Sequence, residues 1–362
     1  MRLNRRVVAL GGVGAAVGLG FAGYAYLDAP YSAAADTLMR PLPADPDRIQ
    51  LIRYATLAAS GHNTQPWRFV DQPGAIEIRP DHTRRTPVVD PDDHHLYASL
   101  GCAAENLAIA AQARGYSGAV AALPDPHDGL LVDMTPGPVL EGLLFAAIPF
   151  RQCTRSLYDG GVAASEDVDA MVAQAESVGV VAVYLSSAEH KTEIANLVGE
   201  GNVLQMADPA FRQELLSWIR FNGRDAVATG DGLYSKALGQ PSMPARLGEV
   251  AFNMLQNDET DFVGPLLSSA GVFVLAAPTD DPDGWMRVGR AYQRMALTAE
   301  ALGLKHAFLN QAVEVPQMRA AVQKLSGLDD KRASLVFRIG RAPALPRSLR
   351  RPVADVLGTA HQ

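Results

Sequence analysis

The carboxyl-terminal third of the chain carries the pattern that most restricts its fold: two apolar runs of strand length on either side of one long helical segment. The runs are GVFVLAA at 271–277 and SLVFRIG at 334–340, and each predicts a strand. The segment DPDGWMRVGRAYQRMALTAEALGL predicts a long helix that ends near Gly303. Elsewhere helices and strands alternate without a strict β-α-β order. The sequence therefore predicts an α+β fold.

The preceding residues supply further helices and strands. We expect Asp45 or Asp47 to cap the first helix of the folded region, and Asp92 or Asp93 to cap a later one. Ser165 is the expected cap of a third helix. The predicted helices are 48–59, 94–114, 165–178 and 189–220, and the predicted strands are 75–80, 130–134 and 180–186.

Composition narrows the class of protein. With 362 residues, of which 48% are hydrophobic and 20% charged, the chain has the make-up of a globular protein of about two domains. Its formal net charge of −7 argues against nucleic-acid binding through a generally basic surface. Two cysteines, Cys102 and Cys153, are too few for a disulfide-built scaffold or a four-cysteine zinc site.

The amino terminus resembles a targeting segment. Arg5 and Arg6 precede 21 uncharged residues, 7–27, six of which are glycine. A weakly apolar stretch behind paired arginines is typical of a twin-arginine signal peptide. We assign residues 1–35 to this segment, with cleavage at the small residues 33–35; retention as a membrane anchor is the alternative. The sequence thus predicts export, to the periplasm or to the outer face of the cytoplasmic membrane, with membrane contact only through this segment.

A polar segment follows the first predicted helix. It reads ASGHNTQPW at 59–67, and its proline biases the chain towards an extended backbone. The alternative to a binding role is a capped helix end that buries Trp67. The side chains that the segment can present to one flat ligand with a polar edge are Ser60, His62, Asn63 and Gln65.

A second polar segment, RQCTR at 151–155, pairs two cations. If it is extended, Arg151, Cys153 and Arg155 share one face, and two guanidinium groups there suit an anionic group such as phosphate. The alternative is a solvated basic edge.

Residues 90–95, DPDDHH, have the composition of a metal site. Adjacent histidines on a helix point in different directions and do not share one face. We therefore interpret the segment as a helix start and predict no metal.

Together, the two polar segments resemble the motifs of the nitroreductase-fold flavoproteins, which bind FMN non-covalently. Members of that family carry Arg-x-Ser-x-Arg/Lys at the start of the domain and Pro-Ser-x-x-Asn-x-Gln-Pro-Trp one helix later. The strings SAGVFVLAAP, GLKHAFLNQAVEV and SLVFRIGRAP are also similar to the family. The resemblance covers about residues 47–347 and implies a nitroreductase-like α+β fold with FMN as the cofactor.

The two motifs occur here in reversed order, which the resemblance explains as a tandem arrangement. Half 1, residues 47–145, keeps the Asn-x-Gln-Pro-Trp motif, and half 2, residues 146–347, keeps the arginine motif. This is the pattern of the Acg-like subfamily, in which two degenerate halves form an intramolecular pseudo-dimer. It implies a monomeric chain with one FMN. The other segments are a linker at 36–46, a lid-like insertion at about 221–260 and a tail at 348–362.

The resemblance also implies roles for individual residues. Arg151 would bind the FMN phosphate, and Arg155 would lie near the pyrimidine edge of the flavin. Cys153 stands where many members have serine, and a thiol is a weaker donor than a hydroxyl. Arg347, in the basic run after the last strand, would complete the phosphate site. The other residues assigned to the cofactor are Ser60, His62, Asn63, Gln65, Trp67, Phe308 and Leu309.

A flavin site of this kind implies an oxidoreductase that works by ping-pong electron transfer, with a nitroaromatic or a quinone as the small-molecule acceptor. FMN supplies the chemistry, so no side chain need act as an acid or a base. Because soluble NAD(P)H is not expected outside the cytoplasm, export implies a membrane quinol or a redox protein as the donor. The alternative is a protein that sequesters FMN beneath the lid-like insertion and does not turn over.

Overall fold

The computed structural model describes residues 26–124, 128–254 and 262–358. Most of the predicted targeting segment, residues 1–25, lies outside the described residues, as do the end of the predicted insertion and the last residues of the tail. Within the described ranges, no helix combines the length and the apolar character needed to cross a bilayer.

Helices surround and separate the sheets of the protein. The second one begins as predicted: Asp47 Oδ1 accepts from Gln50 N at 2.8 Å, and Gln50 Oε1 accepts from Asp47 N at 3.0 Å, which closes a capping box. The helices are α1 Tyr31–Leu38, α2 Arg48–Thr56, α3 His94–Gln112, α4 Leu143–Ala147, α5 Ser165–Glu176, α6 Ala188–Ala207, α7 Pro209–Trp218, α8 Gly223–Thr229, α9 Ala245–Met254, α10 Val263–Leu267, α11 Pro282–Ala301, α12 Gln311–Glu314 and α13 Pro316–Leu325.

The strands form two antiparallel sheets of four strands and one short parallel pair, β6 with β7. The first sheet has the order β1-β2-β4-β3, and the second has the order β5-β8-β10-β9. The strands are β1 Trp67–Gln72, β2 Ala75–Pro80, β3 Val120–Ala122, β4 Leu130–Asp133, β5 Val181–Leu185, β6 Ile219–Arg220, β7 Leu233–Tyr234, β8 Gly271–Ala276, β9 Lys305–Phe308 and β10 Ala333–Gly340.

The two large sheets share one topology. In each of them the first and second strands in chain order are neighbours, and the fourth strand lies between the second and the third. In each, a long helix joins the second strand to the third: α3 in the first sheet and α11 in the second. The mixture of helices and antiparallel sheets confirms the predicted α+β class.

Helices α3 and α11 cross so closely that each requires a glycine. A Cβ atom on Gly101 would lie 1.9 Å from the carbonyl oxygen of Met286, and one on Gly289 would lie 1.8 Å from that of Ala98. Real Cβ atoms do not approach oxygen so closely, so larger residues would force the two helices apart. The backbones of α3 and α11, each of which joins two strands of its own sheet, therefore lie in direct contact.

A buried ion-pair network lies beside this crossing. Glu105 of α3 is 1% exposed and accepts from two arginines of α11. Its Oε2 lies 2.8 Å from Arg290 Nε, and its Oε1 lies 2.6 Å from Arg294 Nη1. The carboxylate thus ties the two long helices together where water has little access.

Several predicted caps and boundaries were wrong for local reasons. Asp93 occupies the cap position of α3, as predicted, but its side chain makes no cap bond. The cap bonds come from Asp90, whose Oδ1 accepts from His95 N and whose Oδ2 accepts from Leu96 N, both at 3.0 Å. Ser165 is the first residue of α5 and makes no cap bond. The predicted helix 189–220 divides at Asp208, which caps a new helix with proline in its first turn.

The predicted boundary at residue 35 falls inside α1, which packs on the body of the protein. Just before this helix, Asp28 accepts from Gly223 N at 2.7 Å, Ser242 Oγ at 2.9 Å and Tyr234 OH at 3.0 Å. These partners belong to the predicted insertion, whose described part contains α8, β7 and α9. The insertion is therefore held in place by the segment that precedes α1.

Candidate functional site

A cavity of about 320 Å³ gathers most of the predicted site residues. Its walls come from the loop before β1, the start of α3, the segment 151–155, the residues after β9 and the end of the chain. The two sequence motifs therefore meet in space. The predicted site residues that line it are Ser60, His62, Asn63, Arg151, Cys153, Arg155, Phe308 and Arg347.

The first motif forms a tight turn with an unusual backbone. His62, Asn63 and Gln65 have φ angles of 46°, 54° and 53°, and they are three of the four described non-glycine residues with positive φ. Such conformations cost free energy and persist where surrounding contacts enforce them. Here Asn63 Nδ2 donates to the carbonyl oxygens of Gly232 and Leu349 at 3.0 and 3.1 Å. Distant parts of the chain thus hold the turn at the cavity.

Three predicted site residues do not line the cavity. Gln65 is fully buried, and its side-chain amide is occupied: Nε2 donates to Gly230 O at 2.8 Å and Oε1 accepts from Arg351 N at 2.9 Å. Trp67 is buried in the core, as the alternative interpretation of its motif proposed. Leu309 is also a core residue, and its amide donates to Val336 O at 2.8 Å. Their side chains or amides serve the fold.

Three arginines meet at one part of the cavity, and none of them pairs with a carboxylate of the described residues. Arg151 is 5% exposed; its Nη2 donates to Leu57 O at 3.1 Å, and its buried Nε has no hydrogen-bond partner. Arg347 Nη1 donates to Pro149 O at 2.7 Å. Arg350, the third, was only one member of the predicted basic run. Among the described residues, no carboxylate lies within ion-pair distance of any of them, so the group attracts an anion.

Arg350 is fixed by backbone oxygens at the end of α2. Its guanidinium donates to Thr56 O, Leu57 O and Ala58 O at 2.6, 3.1 and 2.9 Å. Burial, reinforced by the nearby charges of Arg151 and Arg347, lowers its pKa to about 9. The protein therefore holds a cation here at an electrostatic cost that a bound anion would reduce.

Cys153 lies on the same wall, near an aromatic pair. Its Sγ is 3.9 Å from Tyr292 OH, which is 3.0 Å from His306 Nδ1. Burial alone would raise the pKa of the thiol, but His306, Arg155 and Arg151 outweigh it and lower the pKa to about 5. At neutral pH the side chain is a thiolate, which is a stronger nucleophile and a different acceptor from the thiol that the sequence suggests.

We expect iodoacetamide to alkylate Cys153 at a rate that hardly changes between pH 6 and pH 8, because its thiolate is already formed above about pH 5. An ordinary thiol would react roughly tenfold faster for each pH unit in this range, as its pKa is about 8.5. Burial raises the pKa of Cys102 to about 12, so this residue should stay unmodified. Peptide mass spectrometry measures both rates.

The variant Cys153→Ser is the control for this measurement and should show no fast alkylation. A Cys153 rate that rises tenfold per pH unit would contradict the lowered pKa.

Another part of the cavity carries two groups that the sequence did not single out, Glu314 and Gln205, beside His95 of the DPDDHH segment. His95 Nε2 lies 3.4 Å from Glu314 Oε1, and Glu314 Oε2 accepts from Gln205 Nε2 at 2.7 Å. All three side chains line the cavity together with His62. In the sequence these three residues lie on helices far apart in the chain. No spacing rule connects them, so their grouping could not be predicted.

The DPDDHH segment brings the potential ligand atoms of Asp90, His94 and His95 within 4.8 Å of one another. The histidine rings meet edge to face with centroids 4.8 Å apart, although adjacent helical residues were predicted to diverge. Both carboxylate oxygens of Asp90 are used by backbone amides at the start of α3. The helix-start interpretation therefore accounts for this carboxylate.

Known proteins similar to this chain include two that are named as nitroreductases. No model of a protein family matches the chain. A Mycobacterium tuberculosis protein named "Putative NAD(P)H nitroreductase Rv3131" is 28% identical over 318 residues, which cover 85% of this chain and 90% of that protein. Another from the same organism, "Putative NAD(P)H nitroreductase acg", is 24% identical over 320 residues, which cover 84% of this chain and 93% of that protein.

Solved structures are more distantly similar. A nitroreductase with bound FMN from Bacteroides fragilis has 12% identity and a TM-score of 0.37, covering 56% of this chain and 90% of its own. The NADPH:FMN oxidoreductase of Vibrio harveyi, complexed with NAD⁺, has 13% identity and a TM-score of 0.34, covering 58% of this chain and 73% of its own. Both TM-scores are too low to establish a shared fold.

Proposed function

We propose that this chain is an FMN-dependent oxidoreductase of the nitroreductase superfamily and that it holds FMN in the cavity described above. The observation that carries the proposal is the group of cavity arginines, Arg151, Arg347 and Arg350, which lacks a carboxylate partner among the described residues. Similarity over 85% of the chain to a protein named as a nitroreductase supports the class of activity.

The residues of the cavity fit the parts of FMN. The buried, unpartnered Nε of Arg151 and the guanidinium groups of Arg347 and Arg350 suit a phosphate dianion. Arg155 and the 60–63 turn would bind the polar edge of the ring system, and Phe308 offers an aromatic face. When bound, FMN supplies electron transfer between a donor and an acceptor. The protein's side chains would anchor it and stabilise negative charge on its reduced form.

The proposed cofactor stoichiometry is one FMN per chain. The shared topology of the two sheets, each with its long helix between the second and third strands, supports two related halves that pack across α3 and α11. Only half 1 carries the 60–67 motif, and only half 2 carries the 151–155 motif. The pair of halves would therefore build a single complete site as an intramolecular pseudo-dimer, without a second chain.

The proposed acceptor follows from the flavin site, and the proposed donor follows from the predicted export. We propose a nitroaromatic or a quinone as the acceptor and a membrane quinol or a redox protein as the donor, at the periplasmic side of the membrane. The relatives are named for NAD(P)H, so both donor classes belong in the test. Rapid reduction of the flavin by a quinol analogue supports the proposal, and reduction by NADPH alone contradicts it.

A second candidate function is FMN storage. Leu233 and Leu238 of the insertion line the cavity, and Asp28 anchors that insertion through three hydrogen bonds. A closed cover of this kind would slow exchange with substrates. Reduced flavin that no acceptor reoxidises would favour storage, whereas reoxidation by a quinone or a nitroaromatic would favour the enzyme.

The proposal is tested by titrating the full chain with FMN and with riboflavin, which lacks the phosphate, and following flavin fluorescence. We expect one FMN per chain. Replacing Arg151 with glutamine should weaken FMN binding about 10- to 100-fold, because a hydrogen bond between charged groups contributes about 1.5–3 kcal/mol. Riboflavin affinity should hardly change.

Arg287→Gln is the matched control, since this arginine is 49% exposed and pairs with Asp283 on its own helix. It should leave both affinities unchanged. Two FMN molecules per chain would contradict the single-site arrangement, and equal losses for FMN and riboflavin would contradict the phosphate role of Arg151.

A further inference from the structure

Three titratable side chains, His62, His95 and Glu314, share one part of the cavity. His95 and Glu314 face each other with 3.4 Å between Nε2 and Oε1, and their side chains are 12% and 14% exposed. The hydrogen bond from Gln205 fixes the other oxygen of the carboxylate. The imidazole is thus held by a carboxylate that is itself held, in the manner of an oriented acid or base.

The backbone also fixes His95 against the 61–63 turn. Ser99 Oγ donates to His95 O at 2.6 Å and accepts from Gly61 N at 3.3 Å. A Cβ atom on Gly61 would lie 3.7 Å from Cβ of His95, so the turn packs directly on this histidine. His95 therefore occupies a rigid position beside the motif that we assign to the flavin.

Burial and the surrounding charges shift the pKa of one histidine upwards and the pKa of two others downwards. Burial alone would lower the pKa of His95, but Glu314 and Asp90 outweigh it and raise the pKa, against a small opposing effect of Arg332. Burial lowers the pKa of His62 and of His94. Burial would raise the pKa of Glu314, yet His95 and Gln205 lower it. These shifts favour the imidazolium form of His95 and the carboxylate form of Glu314.

We propose that His95 is the proton donor to the acceptor reduced in this cavity and that Glu314 positions it and stabilises its charge. Reduction of a quinone to a hydroquinone takes two electrons and two protons. The bound cofactor would supply both electrons and one proton as a hydride equivalent, and His95 would give the second proton to the quinone oxygen. His95 would then be neutral and would regain a proton from water. This role goes beyond the expectation that no side chain acts as an acid.

The inference rests on the proposed function and specifies the class of acceptor. Quinones and nitroaromatics take up protons together with electrons, whereas ferricyanide takes one electron and no proton. Only the first class should depend on His95. Comparing the rates with the two classes of acceptor therefore distinguishes a loss of proton donation from a loss of access to the cofactor.

The test uses the full chain loaded with FMN and reduced chemically. Rapid mixing of His95→Gln with 1,4-naphthoquinone at pH 6.5 should show reoxidation about 100-fold slower than in the unaltered protein, the usual size of an acid–base contribution. Reoxidation by ferricyanide should change less than twofold. His82→Gln, which alters a histidine that is 52% exposed, is the control and should match the unaltered protein with both acceptors.

The positioning role of Glu314 has a readout that needs no turnover. In the FMN-free full chain, the NMR titration of His95 should lie above the usual pKa of about 6.5 and should move to lower pH in Glu314→Gln. The naphthoquinone rate should fall as the pH rises through the pKa of His95. In Glu314→Gln this fall should therefore occur at lower pH, by the same amount as the NMR titration. An unchanged His95 titration in Glu314→Gln overturns the role of Glu314.

The outcomes separate this inference from the proposed function. A chain that binds FMN and reoxidises it, with an unchanged naphthoquinone rate in His95→Gln, overturns the proton-donor role alone. Equal losses with naphthoquinone and ferricyanide also overturn it, because they indicate impaired access. A chain that binds no FMN overturns the proposed function and this inference with it.

Discussion

Replacing Gly289 with alanine is expected to destabilise the protein by about 3 kcal/mol, the upper end of the cost of overpacking a buried position. The added methyl carbon would lie 1.8 Å from Ala98 O and 2.7 Å from the carbonyl carbon of the same residue. Backbone atoms of a helix cannot rotate away as a side chain can, so α3 and α11 must separate. Thermal unfolding should shift down by about 5 °C.

Gly199→Ala is the matched control because it also lies within a long helix, α6. Among the residues that the structure describes, its new Cβ would meet only Phe262 Cδ2, at the ordinary contact distance of 3.9 Å. Alanine has the higher helix propensity, so this variant should be as stable as the unaltered protein or more stable by about 0.5–1 kcal/mol. A Gly289→Ala protein that unfolds at the unaltered temperature would contradict the close crossing of α3 and α11.

The second large effect is expected at Glu105, which we would replace with the isosteric glutamine. The change keeps the packing but leaves Arg290 and Arg294 without their carboxylate. Removing one partner of a buried ion pair costs about 3–5 kcal/mol of unfolding free energy. The two arginines here are 22% and 25% exposed, so water can solvate them in part and the expected cost is smaller. We expect about 2 kcal/mol, measured by denaturant unfolding.

Asp283→Asn serves as the comparison, since it breaks the ion pair with Arg287 on the outer part of the same helix. Those two side chains are 40% and 49% exposed, and such pairs contribute little. The loss should stay below about 0.5 kcal/mol. Equal losses in the two variants would show that Glu105 contributes through helix propensity or general charge and not through the buried network.

The long elements of the fold could be predicted because they carry strong periodic patterns and clear stop signals. The strands at 271–277 and 334–340 and the helix between them match β8, β10 and α11 closely. Caps were predicted less well, because the residue that caps α3 is Asp90, four residues before the helix, and the turn between them brings its carboxylate back. The close crossing at Gly101 and Gly289 depends on tertiary packing and leaves no local signal.

The candidate site was predicted in part. Polar residues at tight spacing indicated the cavity walls at 60–63 and 151–155, which lie more than 80 residues apart in the chain. Gln65 is polar like its neighbours in the motif. Its positive φ angle belongs to a turn that buries its side chain completely, away from the cavity. His95 and Glu314 meet because the fold brings the start of α3 and the end of α12 to the same cavity. Sequence identifies polar groups, whereas topology decides which of them face one another.

The order in which the ribosome releases the chain gives the 60–65 turn a particular consequence. That turn is held by residues near the other end: Leu349 O accepts from Asn63, Arg351 N donates to Gln65, and Arg350 donates to the end of α2. Proteins fold from the amino terminus as synthesis proceeds. This early segment therefore cannot reach its final shape until residues 349–351, almost 300 positions later in the chain, have emerged from the ribosome.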